Sequence, residues 1–343
     1  MKKQKILFYL FIITIIGITF YLTIYFIKKN KNIVIPNNFH LEEYKYLFFD
    51  IFIKNGDLYL ICPVYSNIFD SSKIKIFNKN KELQLNNRYY KYGKENTDIL
   101  IYNLNSNNFK EKIIVYYNSQ PYVYLLKNNK TCNNIKLALT TLFKDDFQLI
   151  NIFYEYYKIQ GVDHFFLYYN GKITDEIKKL YNKPDITLIE WNYQYWQPNH
   201  IHHAQTAQMH HALYKYGKQN CEYMLFCDLD EYVNLPKNGL KMLIKNNPET
   251  GVFCFNNKWS STFNKKIPNK FPDKFYTSEE LTYNDRSKCL YKINNIELLG
   301  IHSPYKLKNN TKQKLNLSMF HFFNWTKNKR DKKTDILVAS PIL

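Results

Sequence analysis

The sequence predicts an α/β protein: an open mixed sheet flanked by helices, preceded by a transmembrane helix and a small β-rich region. Three observations predict it. Residues 6–27 form one uncharged apolar run. Residues 51–133 hold short strand-like segments between turns containing Asn, Lys and Gly. From residue 134 strands and helices alternate, and the fourth strand runs into three acids. The 343 residues are enough to bury a sizeable core, and 25 Phe with 31 Tyr exclude a wholly disordered chain.

A basic tail, residues 1–5, leads into the apolar run 6–27. As a helix this run would be about 33 Å long, enough for a hydrocarbon core of about 30 Å. It is too long for the apolar part of a cleaved signal, and no small-residue cleavage site follows. It therefore reads as a signal anchor. Lys2, Lys3 and Lys5 precede it and Lys28, Lys29 and Lys31 follow, so flanking charge leaves the orientation open. A long globular part behind a short basic tail favours a single-pass protein of the endomembranes, Golgi or ER, with its C-terminal domain in the lumen. Sequons at Asn129, Asn309, Asn316 and Asn324 would be acceptors there. Six cysteines without CxxC spacing permit disulfides in an oxidising compartment, and equally permit buried free thiols.

Residues 28–50 read as a stem. In the β-rich region, 57–65, 99–104, 112–117 and 122–126 read as strands, with no charged or His cluster that would do chemistry. The main domain spans 134–330, and 331–343 is a tail. Its first strand is 137–143. A helix over 147–159 stops at Gly161, and 164–169 is the second strand. Thr174 caps a helix through Tyr181, Pro184 ends it, and 186–191 is the third strand. A helix over 201–216 leads to the fourth strand, 222–227, and 251–259 is the fifth. In such a sheet the site lies at the carboxyl edge. No GxGxxG, GxxxxGK[ST] or GxSxG pattern occurs.

That edge carries Asp228-Leu229-Asp230-Glu231. In an extended chain Asp228 and Asp230 point the same way, and two hard oxygen ligands suit Mn²⁺ or Mg²⁺ holding a diphosphate. Glu231 points off that face toward a Lys, an Arg or a backbone turn. His200, His202, His203, His210 and His211 cluster around the fourth helix; with no Cys or acid at ligand spacing they read as surface or core-edge residues rather than a zinc site. The net charge of +19, from 48 Lys+Arg against 29 Asp+Glu, is either attraction for phosphates, acidic lipid or acidic substrates, or compositional drift on a solvated face. No aromatic–basic repeat accompanies it, so no nucleic-acid partner is expected.

The strand and its acids resemble the nucleotide-sugar edge of a GT-A glycosyltransferase, and the flanks resemble family 92 of these enzymes. The segments that carry the resemblance are Lys144-Asp145-Asp146, Gly161-Val162-Asp163-His164-Phe165, Gln205 ahead of Asp228-Leu229-Asp230-Glu231-Tyr232, Arg286-Ser287-Lys288, Gly300-Ile301-His302 and His321-Phe322-Phe323, within about residues 134–325. Asp145-Asp146 stands where the family has Asn-Glu, and Tyr169 where it often has Asp.

The resemblance implies a GT-A-like sheet and an inverting, metal-dependent transfer of a sugar, a hexose in the first instance, from a nucleotide-sugar donor to a glycan or glycoconjugate acceptor. It implies Asp228 and Asp230 as metal ligands with a late histidine, His302 or His321, completing the shell, and Asp145, Asp146, Gln205, Asp228, Arg286 and Lys288 as donor contacts. The aromatic pair Phe322-Phe323 beside His321 favours that ring as the ligand, and the glycine before Ile301-His302 favours His302 as a phosphate contact. Glu279, Glu280 and Asp285 are equivalent candidates for the base that deprotonates the acceptor. Two other readings use the same residues: a GT-A-like binding or scaffolding protein without turnover, and a phospho- or nucleotidyltransferase. The membrane reading predicts that carbonate extraction leaves the full chain in the pellet. Release by high salt alone would mean that its basic residues merely sit on acidic lipid.

Overall fold

The computed structural model describes residues 33–34, 39–42, 45–62, 73–91, 97–104, 112–126, 134–195, 203–263, 267–278, 286–325 and 337–339. The apolar run 6–27 lies outside the described residues, and among those described no helix is long and apolar enough to cross a membrane.

Period-two alternation builds the N-terminal part from β1 (Asp50–Lys54), β2 (Asp57–Cys62), β3 (Ile74–Asn78), β4 (Leu85–Lys91), β5 (Thr97–Asn103), β6 (Lys112–Tyr117) and β7 (Gln120–Leu125). Asn55 and Gly56, both at positive φ, close the two-residue β1–β2 hairpin, the turn that Asn-Gly favours. One sheet runs β1-β2-β5-β4; the other runs β7-β6-β3 and ends on the short strand Lys81–Glu82. Ile51, Ile53, Leu58 and Leu60 of the first sheet share a core with Ile74, Ile76, Ile113 and Val115 of the second. The alternate residues Phe52, Ile61, Ile99 and Ile101 enter a different core, shared with the C-terminal part. Both faces of the first sheet are therefore covered, and every residue of β1 is buried. Phe48, Phe49 and Asp50 are buried as well, so the segment read from sequence as a stem ends inside the fold.

The C-terminal part follows the expected alternation: β8 (Ile135–Phe143), α1 (Ile150–Ile159), β9 (His164–Tyr169), α2 (Asp175–Leu180), β10 (Ile186–Glu190), α3 (His203–His211) and β11 (Cys221–Phe226). The Thr174 hydroxyl accepts from Ile177 N–H at 3.4 Å, as the cap predicted. Strands β10, β9, β8 and β11 are parallel and lie in that spatial order. The chain builds outward from β8 to β10, then returns to place β11 on the other side of β8. The carboxyl ends of β8 and β11 thus flank the switch point of the sheet.

Beyond it come β12 (Glu231–Val233), α4 (Gly239–Asn246), β13 (Thr250–Ser261), β14 (Phe275–Thr277), β15 (Lys288–Lys292), β16 (Ile296–Leu299), β17 (Pro304–Leu307) and β18 (Lys312–His321). β15 pairs antiparallel with β11 and β13, while β18 runs parallel to β13 and antiparallel to β12. The mixed sheet reaches eleven strands with the short pieces Ile33–Val34 and Leu337–Ala339. A disulfide, Cys254–Cys289, crosses directly paired positions of β13 and β15. Cys62, Cys221 and Cys227 are free and buried. Of the sequons, Asn309 and Asn316 are exposed and Asn324 is buried; Asn129 lies outside the described residues.

The helix expected over 201–216 is described from His203 and ends in a π-helical turn, Ala212–Gly217. Lys54 reaches across from β1 and donates to the carbonyls of Tyr214, Lys215 and Lys218. Asp50 accepts from His211 Nε2 at 2.7 Å and from Lys215 Nζ at 2.8 Å, and His211 Nδ1 meets the Tyr168 hydroxyl at 2.8 Å. These buried bonds dock the sandwich on the α/β part. His210 and His211 are thus core residues rather than surface ones.

His210 has a defined neutral form: Nδ1 donates to the Thr206 carbonyl at 2.8 Å and Nε2 accepts from Leu299 N–H at 3.0 Å. Burial pushes its pKa from 6.5 down to about 4, and it does the same to His164. The unfolded chain therefore binds protons between those values and the folded chain does not. Stability is full above about pH 6.5 and falls as the pH drops toward 4. Urea unfolding at pH 7.5 and pH 5 should show a lower midpoint at pH 5, with a smaller drop in His210→Gln. Equal midpoints in the wild type would contradict the neutral assignment.

Candidate functional site

The acidic segment grows out of the end of β11. Glu231 N–H donates to the Asp228 carbonyl at 3.1 Å, closing a turn, and the Glu231 carboxylate accepts from Asp228 N–H at 2.8 Å. The extended chain expected from sequence, with both aspartates on one face, is therefore replaced by a turn that Glu231 folds from its own side chain. As expected, Glu231 itself points to a backbone turn and toward a lysine.

The turn gives each acid different partners. Asp228 accepts from Gln205 Nε2 at 3.1 Å and from Lys288 Nζ at 2.8 Å. Asp230 Oδ2 lies 3.3 Å from His321 Nε2, and its carbonyl accepts from Phe322 N–H at 2.8 Å. Glu231, only 1% exposed, accepts from Asn257 Nδ2 at 2.9 Å and lies 3.6 Å from His321 Nδ1 and 3.8 Å from Lys288 Nζ. Strand register assembles this set. Glu231 of β12 sits opposite His321 of β18, and His321 sits opposite Trp259 of β13. The Trp259 and His321 ring centroids are 4.8 Å apart, which fixes the imidazole.

Burial alone would raise the Asp228 pKa, but the Lys288 ammonium overcomes it and holds the carboxyl below its ordinary value. Glu231 goes the other way: burial raises it, Lys288 offsets part of that, and the nearby Asp228 carboxylate adds to it. Burial works against charge on Lys288 and His321 too, yet the facing carboxylates win and raise both, Asp228 and Glu231 for the lysine and Asp230 first for the histidine. Lys288 is buried while Asp228 stays partly exposed, and Glu231 at 3.8 Å would still face the ammonium if Asp228 were removed.

Of the residues singled out by sequence, Asp228, Asp230, Gln205, Lys288 and His321 come together here. Arg286 joins them through Trp259, its guanidinium 5.6 Å from that ring's centroid. His302 Nδ1 lies 3.2 Å from the Ser287 carbonyl, and its charge helps to hold the Asp228 carboxyl low. Asp145 and Asp146 follow β8 on the other side of the switch point. The Asp146 carbonyl accepts from Leu149 N–H at 3.0 Å, and its carboxylate acts on Tyr181. Glu279, Glu280 and Asp285 lie outside the described residues, as do His200 and His202. Sequence reasoning missed Asn257 and Trp259. The signal available was Asn256-Asn257 interrupting an otherwise apolar strand, a place where polar groups need partners.

Among the described residues no three His, Cys, Asp or Glu side chains gather so as to hold a metal ion. Asp230 and His321 nonetheless offer one carboxylate oxygen and one imidazole nitrogen side by side. That pair would give a divalent ion one hard oxygen and one nitrogen ligand. A recess beside Asp228, lined by Thr140, Gln205, Gln208 and Lys288, extends the polar edge toward β8.

Fold and site together define an α/β protein whose ligand edge, at the switch point of a mixed sheet, combines acids with buried cationic partners. The chain belongs to glycosyltransferase family 92, whose profile matches residues 135–337, more than half of its length. The match starts at the first strand of the parallel sheet and covers the acidic turn, Gln205, Lys288 and His321. The family makes glycosyl transfer, with a sugar donor and an acceptor, the general function of the chain. A comparison with curated proteins gives no significant match.

Proposed function

We propose that the chain is a GT-A-type, Mn²⁺- or Mg²⁺-dependent hexosyltransferase. It takes its sugar from a nucleotide-sugar donor, passes it to a hydroxyl of a glycan or glycoconjugate with inversion, and is anchored by residues 6–27 with its catalytic part in the lumen. The observation that carries this reading is the Asp230–His321 pair beside an ionised Asp228, at the switch point between β8 and β11.

Asp230 and His321 would hold the ion, which would supply positive charge toward the departing diphosphate. Lys288 and Gln205 fix Asp228, which faces the donor's sugar or ribose hydroxyls. Arg286, beside Trp259, is the group for the outer phosphate. Glu231 is spoken for by Asp228 N–H and Asn257, so it builds the turn rather than moving protons. The base is drawn from residues 279–285, where Glu280 and Asp285 lie. Both flanks of that segment touch Trp259, since Ser278 N–H donates to its carbonyl at 2.8 Å and Arg286 covers its ring. This base removes the acceptor hydroxyl proton as the oxygen attacks C1 and the diphosphate leaves.

Incubating the full chain with UDP- and GDP-sugars and Mn²⁺ should release nucleoside diphosphate slowly by donor hydrolysis, and chelator should stop it. Asp230→Ala should lower the rate on the order of 100-fold. Because Asp230 is buried beside His321, its melting midpoint should also fall, and Asp230→Asn, which keeps the side chain's volume, should lose the rate with a smaller fall. Hydrolysis that persists in excess chelator would refute the metal. Tight binding of nucleoside diphosphate without any hydrolysis or transfer would favour a binding protein instead.

A further inference from the structure

A second concavity adjoins the recess beside Asp228. It is a cleft of about 450 Å³, within the range of small-molecule sites. Its floor is the face of β13 at Cys254 and Asn256, and its wall is the hairpin of β16 and β17 with Ser303 and Tyr305. Ser287 lines one side and Gln313 of β18 the other. Two lining residues connect it to that recess: Ser287 precedes Lys288, and Ser303 ends the turn that begins Gly300-Ile301, while Lys288 and Ile301 both line the recess. Asn256 points to the strand face opposite Asn257, so the cleft lies across the 300–303 turn from Asp228 rather than on the Glu231 and His321 side.

Its chemistry is unlike the rest of this basic chain. Among the described residues, those lining it include no Lys, Arg, His, Asp or Glu. Instead there are two carboxamides, three hydroxyls counting the Tyr305 phenol, one aromatic ring and a few aliphatic carbons; the Ser287 hydroxyl donates to the His302 carbonyl and so is left to accept. Carboxamides and hydroxyls both donate and accept, which suits ligands that do the same at every carbon, and an aromatic ring suits the C–H face of a pyranose. Nothing in this set would pay for desolvating a phosphate or a carboxylate.

The cleft is also built in advance. The Cys254–Cys289 disulfide locks two strands of its floor. Gly300 N–H donates to the Ser303 carbonyl at 2.8 Å, and a Cβ on Gly300 would lie 2.7 Å from that oxygen and 2.8 Å from the Tyr305 ring. Glycine thus lets the turn close and seats the Tyr305 ring against it, which cuts the ordering cost of binding.

We infer that this cleft holds an uncharged sugar unit of the acceptor, with Tyr305 as the platform for the pyranose ring and Asn256, Gln313, Ser287 and Ser303 as partners for its hydroxyls. The inference rests on the transferase reading for the word acceptor, but the binding it predicts can be measured without turnover.

The test uses the full chain in a sugar-free detergent and saturation-transfer NMR. The probes are the methyl glycosides of galactose, glucose, mannose, fucose and N-acetylglucosamine, with methyl glucuronide as the charged comparison. At least one neutral glycoside should bind and the glucuronide should not. Tyr305→Ala and Gln313→Ala should each weaken that binding about tenfold, as loss of a sugar-binding contact does. Gln313 is exposed on its strand, so that variant keeps the test valid if Tyr305→Ala unfolds; melting midpoints report which case holds. Binding unchanged in a folded Tyr305→Ala and in Gln313→Ala, preference for the glucuronide, or no binding of any neutral glycoside by the wild type would each overturn the cleft assignment. Donor hydrolysis by the wild type separates the two readings. Hydrolysis without glycoside binding leaves the transferase standing and the cleft refuted. Glycoside binding lost in Gln313→Ala, with no hydrolysis of any sugar nucleotide, does the reverse.

Discussion

A carboxylate buried beneath an acidic turn sets the terms for the rest of this structure. Glu231 receives hydrogen bonds from Asp228 N–H and Asn257, lies within reach of Lys288 and His321, and is almost wholly removed from water. An acid there is tolerable only because four elements bring it partners: the end of β11, β13, the start of β15 and the end of β18. The same convergence leaves Asp228 tied to Lys288 and Asp230 beside His321. Two aspartates two residues apart thus acquire different tasks, one neutralised by a fixed ammonium and one paired with an imidazole. The turn and the sheet depend on each other, because without the turn neither aspartate meets its partner.

A second set of buried bonds gives that edge a firm support. Asp50 and Lys54 of β1 meet His211, Lys215 and the carbonyls that end the helix carrying Gln205. Gln205 in turn steadies Asp228. The chain of contacts runs from the N-terminal sandwich through one helix to the acidic turn, so the sandwich contributes to the site's order without supplying a reacting group. Such buried ionic contacts are weak evidence for net stability, because desolvation offsets much of their attraction.

Much of the parallel sheet was legible because its strands are apolar throughout and its helices carry caps and breakers, as at Thr174 and Gly161. Of the later strands, β13 was legible as an apolar run, and β15 and β18 were not. β15 begins at a lysine, and the first half of β18 is exposed, so neither shows the apolar run that marks a buried strand. Lys288 looked like a phosphate contact because a lysine near an acidic motif has two possible partners, and only the fold brings its ammonium to Asp228. The direction of the two aspartates was misread for a local reason: strand geometry was extended one step too far, past the point where Glu231 turns back on Asp228 N–H. Asn257 and Trp259 had no charge to announce them, and their part in holding Glu231 and His321 comes wholly from strand register.

The central claim is that a donor's diphosphate and its ion are received at the turn after β11 together with the end of β18. Hydrogen–deuterium exchange of the full chain, with UDP or GDP and with and without Mn²⁺, tests it at peptide resolution. Exchange should slow in two separated stretches together, 227–232 and 319–323, and more strongly when Mn²⁺ accompanies the nucleotide. Protection confined to other segments, or indifferent to Mn²⁺, would contradict the account.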